Sequence, residues 1–356
     1  MLWGELDAEA QHFGLATPGG VVSTTGVAGL TLGGGLGWLA RLLGTTCDNL
    51  VSADVVLASG DLVRADAERN ADLHWGLRGG GGNFGIVTSF ELQLHPIGPI
   101  VLAGAVFHPF SRANELLRFL RDFLEDAPDE LTVITALTSA PPAPFLPSAV
   151  HGQLVAAAAL CYAGPMDRGE EIVRPLREFG APHADVIGPM PYTALQSMFD
   201  ASYPHGRFNY WKSSYLDELT DAAIDTLLEH AADIRSPLSS FYLEHLGGAI
   251  ARGGETASAF GHRDHRFDLA ILAQAADAEG LGPEIEWARA LFAAIQPHAA
   301  QAVYVNNLGD EGADRVRAAY RPDVYERLVK LKDAYDPENT FRLNQNIAPT
   351  GRLAPV

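Results

Sequence analysis

Cysteine is scarce in this chain. Cys47 and Cys161 are the only two among 356 residues, too few for a disulfide framework. Positive charge is also short: Lys and Arg number 25 against 44 Asp and Glu, a formal charge of −19. An acidic surface repels phosphate, which excludes nucleic acid and anionic membranes as general partners. Long apolar runs are missing, the longest, near Leu154–Tyr162, being far short of a membrane span. The acidic opening, Met1-Leu2-Trp3-Gly4-Glu5-Leu6-Asp7, is unlike a secretory leader, so a cytoplasmic location is expected. No Gly-Lys-Ser/Thr follows a glycine run, which removes a Walker P-loop. A Gly-x-Ser-x-Gly elbow is absent too, leaving a hydrolase without support. The twelve histidines show no His-Glu-x-x-His or paired Cys/His spacing, so no metal site is expected.

What the chain has is glycine, concentrated. Thr24-Thr25-Gly26-Val27-Ala28-Gly29-Leu30-Thr31-Leu32-Gly33-Gly34-Gly35-Leu36-Gly37 holds six glycines in fourteen residues. Each costs about 0.5–1 kcal/mol relative to Ala inside a regular element. Two readings remain open from composition: a loop whose N–H groups face a phosphate-bearing ligand, or a tight turn between buried elements. A second run, Gly79-Gly80-Gly81-Gly82-Asn83-Phe84-Gly85, opens onto an alternating stretch, Ile86 to Leu94, that reads as a strand lining the same pocket.

Hydrophobic residues at 47% and charged residues at 19% indicate a globular protein, and the length suits two domains. Leu2 to Phe13 reads as an amphipathic helix with no preceding strand to cover its apolar face. Val51–Ala58 and Leu62–Ala65 read as a hairpin across Ser59-Gly60-Asp61. From about Ile97 the glycine density falls. Strands are expected at Val101–Phe107, Leu131–Thr138, Gln153–Tyr162, Phe241–His245 and Ala302–Asn306. Helices are expected at Ala113–Leu124, Asp167–Phe179, Ala222–Ala232, Glu284–Ile295 (started by Pro283) and Val324–Ala334. Strands with helices on one side predict an α+β domain on a mostly antiparallel sheet.

Gly35-Leu36-Gly37-Trp38-Leu39-Ala40 fits G-x-G-x-x-A, but no clean strand runs into it and Asp54 starts its strand rather than ending it. That argues against a dinucleotide-binding unit of the Rossmann kind. His262-Arg263-Asp264-His265 reads as a solvated polar turn, and Cys47, without a neighbouring base, as inert. Phe208-Asn209-Tyr210-Trp211-Lys212 either lines a substrate cavity or belongs to a core strand.

Both ends of the chain resemble one family. The run Ala16 through Gly35, then Cys47-Asp48-Asn49-Leu50-Val51-Ser52-Ala53-Asp54, then Trp75-Gly76-Leu77-Arg78 with its glycines, resemble the FAD-binding domain of berberine-bridge-enzyme-like oxidases. Tyr304-Val305-Asn306-Asn307 and Tyr335-Asp336-Pro337-Glu338-Asn339-Thr340-Phe341-Arg342-Leu343-Asn344-Gln345-Asn346-Ile347 resemble that family's C-terminal segment. The resemblance implies a PCMH-type, vanillyl-alcohol-oxidase-like flavoprotein of three parts: a partial FAD-binding domain at 1–97, an α+β substrate domain at 98–303, and a segment at 304–356 returning to the FAD domain. It implies FAD as cofactor and hydride removal from a small alcohol, sugar or alkaloid-like substrate. Flavin contacts carry over to Thr24, Thr25, Gly26, Gly29, Gly33 and Gly34, to Gly85, Ile86 and Val87, and to Asn344 and Asn346.

Three departures qualify this. No histidine sits in the family's Arg-x-Gly-Gly-His-type attachment loop, so covalent FAD is not expected and the N-terminal flavin subdomain is read as missing. Val22 stands where some members attach FAD through Cys. Asn307 stands where many carry a tyrosine base, and a carboxamide is no base near neutral pH; Tyr304 and Tyr210 remain the candidates. The alternative expectation is a non-catalytic remnant that binds a small molecule or a partner.

Overall fold

The computed structural model describes residues 1–254 and 257–351; the expected C-terminal segment therefore ends, at 352–356, outside the described residues. The chain divides into two compact units, one of Met1–Pro96, Gly247–Asp264 and Ala302–Val356, the other of Ile97–Leu246 and His265–Gln301. Where the sequence suggests one uninterrupted middle domain, the chain thus makes an excursion to the first unit at Gly247–Asp264.

In the first unit, β1 (Leu50–Val56), β2 (Leu62–Asp66) and β3 (Ile86–Leu92) form an antiparallel sheet in the order β2-β1-β3. Helices Ala71–Leu77 and Pro322–Tyr335 share its core, where Leu73, Leu77, Phe84, Leu328 and Ile347 are buried. Pro322 opens its helix because the first turn has no N–H bond for proline to break. The opening helix, Trp3–Gln11, buries Trp3 and Ala10, while Leu2 (41%) and Phe13 (78%) of the expected apolar face stay exposed. Trp3 is fully buried, its ring so close to Gly19 that a Cβ there would lie 2.6 Å away. Nor is the first glycine run all loop: Val27–Leu32 is a short helix, with Gly26 at its N-cap.

The second unit is an eight-stranded sheet. Its long strands are β4 (Ile100–Pro109), β5 (Leu131–Ser139), β6 (Leu154–Tyr162), β7 (Phe208–Leu216), β8 (Ser240–His245) and β9 (Phe267–Ala275). They run β4-β6-β5-β8-β9-β7, with Gly188–Pro191 and Ala184–Asp185 pairing β4, and every pairing is antiparallel. Side chains alternate across the pleat. Leu131, Val133, Phe241, Leu243, Leu269 and Ile271 face a core shared with Leu117, Leu120, Ile224, Leu227 and Leu291 of helices Ala113–Phe123, Asp221–Ala231 and Ala278–Ile295. Each such leucine buried contributes about 1.5–3 kcal/mol.

Two elements differ from expectation. Pro283 does not start its helix: the helix begins at Ala278, where the Asp277 carboxylate accepts from Gly280 N at 2.8 Å and supplies the cap. Ala302–Asn306 is no strand. Val305–Asn307 is a turn of 3-10 helix, and Tyr304 is held by its side chain rather than by a ladder.

Candidate functional site

A cavity of about 260 Å³ lies within the first unit, and three separate pieces of chain line it. The first glycine run supplies Gly29, Leu32 and Gly33; the second supplies Gly81, Gly82 and Asn83. Val305, Asn306, Tyr320, Asn344 and Gln345 come from the last segment. Its walls are neutral. Four carboxamides and a phenol offer both donors and acceptors, and no charged side chain is among them.

Close backbone approach explains the glycines. At Gly33 a Cβ would lie 1.9 Å from Asn306 Oδ1, so only glycine lets the two walls meet. Gly35 takes φ +92°, and a Cβ there would fall 2.0 Å from Thr46 Oγ1. Tyr304 then fixes the turn: its buried hydroxyl oxygen accepts from Gly35 N (2.8 Å), Leu36 N (3.3 Å) and Asn306 Nδ2 (2.8 Å).

The second glycine run is tied to the last segment by a buried ion pair. Lys332 and Asp336 are fully buried, and the ammonium donates to Asp336 Oδ2 (2.7 Å), Asn83 O (2.8 Å) and Phe341 O (2.8 Å). Burial alone would push the Asp336 carboxyl up, but Lys332 and the N–H groups of Phe341 and Thr340 hold it below the ordinary range. Asn83 completes the tie, donating to Gln345 O at 3.2 Å and accepting from Ile347 N at 2.9 Å.

The run His262–His265 is not the solvated turn its composition suggests. Arg263 is 3% exposed, and its guanidinium forks onto Asp48 at 2.6 and 2.8 Å. Burial would raise the Asp48 carboxyl, yet Arg263 and Thr45 keep it below its usual value. This pair anchors the excursion, whose Phe260 lies against Gly34 and meets the Tyr304 ring edge-on at 6.0 Å. Cys47, beside it, is fully buried, and desolvation pushes its thiol up to about 12, so it is no nucleophile.

Of the residues carried over from the resemblance, Gly29, Gly33 and Asn344 line the cavity. Thr24 is exposed, Thr25 accepts from Trp3 N at 3.0 Å, and Gly26 caps the short helix. Gly34 and Gly85 are buried, Ile86 is 57% exposed at the start of β3, and Val87 follows it. Asn346 is half-buried, and its Oδ1 is buried with no hydrogen-bond partner among the described residues. Tyr304 adjoins the cavity through Asn306, whereas Tyr210 sits on β7 of the other unit, its hydroxyl accepting from Arg289 Nε at 3.1 Å. Tyr320 and Gln345 escaped the sequence reading. Tyr320 is 4% exposed and donates to Gly79 O at 3.3 Å.

These residues fit part of a flavin nucleotide. Glycine backbone and carboxamides suit the edge of a heterocycle, and the Asn346 oxygen wants a donor. The volume is below the roughly 300–1,000 Å³ of sites that enclose a drug-sized ligand, too small to enclose the whole of FAD.

Comparison with known proteins agrees. Residues 1–66 match the FAD binding domain family and residues 303–348 the berberine and berberine-like family. An FAD-linked oxidoreductase of Dictyostelium discoideum is 31% identical over 351 residues, covering 97% of this chain and 73% of that protein. (R)-6-hydroxynicotine oxidase of Paenarthrobacter nicotinovorans is 30% identical, covering 98% of this chain and 76% of that protein. The crystal structure of 6-hydroxy-D-nicotine oxidase from Arthrobacter nicotinovorans superposes with a TM-score of 0.85 at 28% identity, over 98% of this chain and 76% of the other. A chitooligosaccharide oxidase, at 22% identity and a TM-score of 0.84, shares the fold. Two motif-bearing ends in the right order, and relatives alike over nearly the whole chain, place it in a family: this chain belongs to the berberine-bridge-like FAD-linked oxidoreductases.

Proposed function

We propose that the protein oxidises a small organic substrate in the cytoplasm, using FAD bound without a covalent link. The observation that carries this is the neutral cavity where both glycine runs meet Asn306, Asn344 and Gln345. FAD supplies the hydride acceptor when bound. Gly29, Gly33, Gly81 and Gly82 would let it approach the backbone, Asn344 and Asn346 would hydrogen-bond its polar edge, and the more peripheral Thr24, Thr25, Gly26, Gly34, Gly85, Ile86 and Val87 would shape the surround. No His or Cys lines the cavity to attach it. Tyr304 would act by positioning Gly35 and Leu36 rather than by taking a proton, since three N–H donors already engage its oxygen. Among the described residues no helix is long and apolar enough to cross a membrane, and the two free, buried thiols suit a reducing compartment.

Titrating the purified chain with FAD and following flavin fluorescence tests the reading. Saturable quenching at one flavin per chain is expected, followed by dye reduction with a member of a panel of amines, alcohols and sugars. Absence of flavin binding overturns the proposal. Binding without turnover of any substrate supports the second reading, a non-catalytic binding module, which the engaged hydroxyl of Tyr304 favours.

A further inference from the structure

The polar side chains around the cavity have spent most of their hydrogens on the protein itself. Asn306 donates through Nδ2 to Leu30 O at 3.0 Å and to the Tyr304 hydroxyl at 2.8 Å. Gln345 donates through Nε2 to Leu308 O at 2.8 Å. Asn83 donates through Nδ2 to Gly80 O at 2.9 Å and to Gln345 O at 3.2 Å, and Tyr320 gives its one O–H to Gly79 O at 3.3 Å. Two of the lining glycines are committed as well: Gly33 N donates to Gly29 O and Gly81 N to Leu32 O.

These bonds fix how the amides are turned. Leu30 O and Leu308 O are carbonyls and only accept, so the side-chain atoms facing them are nitrogens. What remains is oxygen. Asn306 Oδ1, which stands against Gly33, and Gln345 Oε1 have no hydrogen-bond partner among the described residues. Asn83 Oδ1, by contrast, is taken by Ile347 N at 2.9 Å. Asn344, whose Nδ2 lies beside Gly82, keeps both of its polar atoms unused among the described residues. No charged side chain is in the lining, so a phosphate there would lose its water without gaining a cation.

We infer that the cavity is a receptor for a polyhydroxyl chain, with the ribityl chain of FAD as its occupant. A hydroxyl both donates and accepts. Successive hydroxyls donate to Asn306 Oδ1 and Gln345 Oε1, and either role meets the Asn344 amide. Adenine brings one amino group and several ring nitrogens that need donors, of which the side chains retain only the Asn344 amide. The pyrimidine edge of the flavin sets carbonyl oxygens on both sides of its N–H, and those would face the oxygens of the wall. A ring edge therefore serves Asn344 and the buried Asn346 oxygen, while the hydroxyl chain serves Asn306 and Gln345.

Only the word ribityl rests on the flavin reading; recognition of hydroxyls does not. Riboflavin and lumiflavin share one ring system and differ in the chain on its N10, ribityl in the first and methyl in the second. Fluorescence titration of the full chain should show riboflavin bound at least about tenfold more tightly, with excess ribitol competing and AMP not. Q345E keeps an acceptor at the wall and should retain the preference. Q345L has none and should lose most of it, although both variants forfeit the bond to Leu308 O. Should Q345L fail to fold, as judged by near-UV circular dichroism, the two flavins and the two competitors decide on the unaltered chain. Equal affinity for the two flavins, displacement of riboflavin by AMP but not by ribitol, or a preference undiminished in Q345L overturns the inference. FAD binding without a ribityl preference sinks the hydroxyl receptor alone. Ribitol binding in calorimetry, with no flavin bound, keeps the receptor, makes a free alditol its occupant and sinks the flavin reading alone.

Discussion

The two units hold their shape by different means. In the second, neighbouring strands bond residue by residue, and the alternation of Leu131, Val133 and Leu137 sets one face against the helices. In the first, loops far apart in sequence are joined by single side chains: Tyr304 to Gly35, Lys332 to Asn83, Arg263 to Asp48. A ladder spreads its stability over many similar bonds, so damage scales with the volume removed. A loop fixed by one ammonium or one phenol fails when that group goes. Ligand binding should therefore be most sensitive where the architecture is least regular.

Substitutions that separate the two modes follow from this. Lys332→Met leaves Asp336 buried without its cation and should cost about 3–5 kcal/mol, read by urea unfolding, and should abolish flavin quenching. Ile271→Ala, in the sheet core, should cost about 2–5 kcal/mol through its cavity. Flavin affinity should be unchanged in that variant, and a parallel loss would break the contrast. Tyr304→Phe strips the acceptor from the buried N–H groups of Gly35 and Leu36 and should cost about 1–3 kcal/mol, with a flavin affinity loss larger than its stability loss predicts. The smallest effect concerns pH. Because the folded Glu244 carboxyl is raised, its contribution is fully present below the usual carboxylate range and is lost as pH rises through about 8. Thermal melts of E244Q should show a flatter decline from about pH 5 to 8 than those of the parent chain.

Regular structure was readable where local pattern decides it. The strands Leu131–Ser139 and Leu154–Tyr162 and the helix Asp221–Ala231, begun by Thr220, follow periodicity and capping within a residue or two. Ala302–Asn306 misled because its β-branched and aromatic side chains have strand composition, while the Tyr304 hydroxyl is drawn to a turn 269 residues away. Arg263 looked solvated for the same reason: its partner, Asp48, is 215 residues distant, and no local window contains both. Family resemblance reached Gly29, Gly33 and Asn344 at the cavity because their motifs are compact. It did not reach Tyr320, which lies just beyond the short helix Ala313–Ala318 and outside any glycine-rich signature.

The excursion Gly247–Asp264 and the late return at Ala302 also order events during synthesis. Tyr304, Asn306 and Lys332 leave the ribosome long after both glycine runs, which stay unjoined until those residues arrive. The second unit, interrupted once, has all eight strands of its sheet available before then, the last ending at Ala275. A nascent chain arrested before residue 302 should carry a formed sheet and an unfinished cradle.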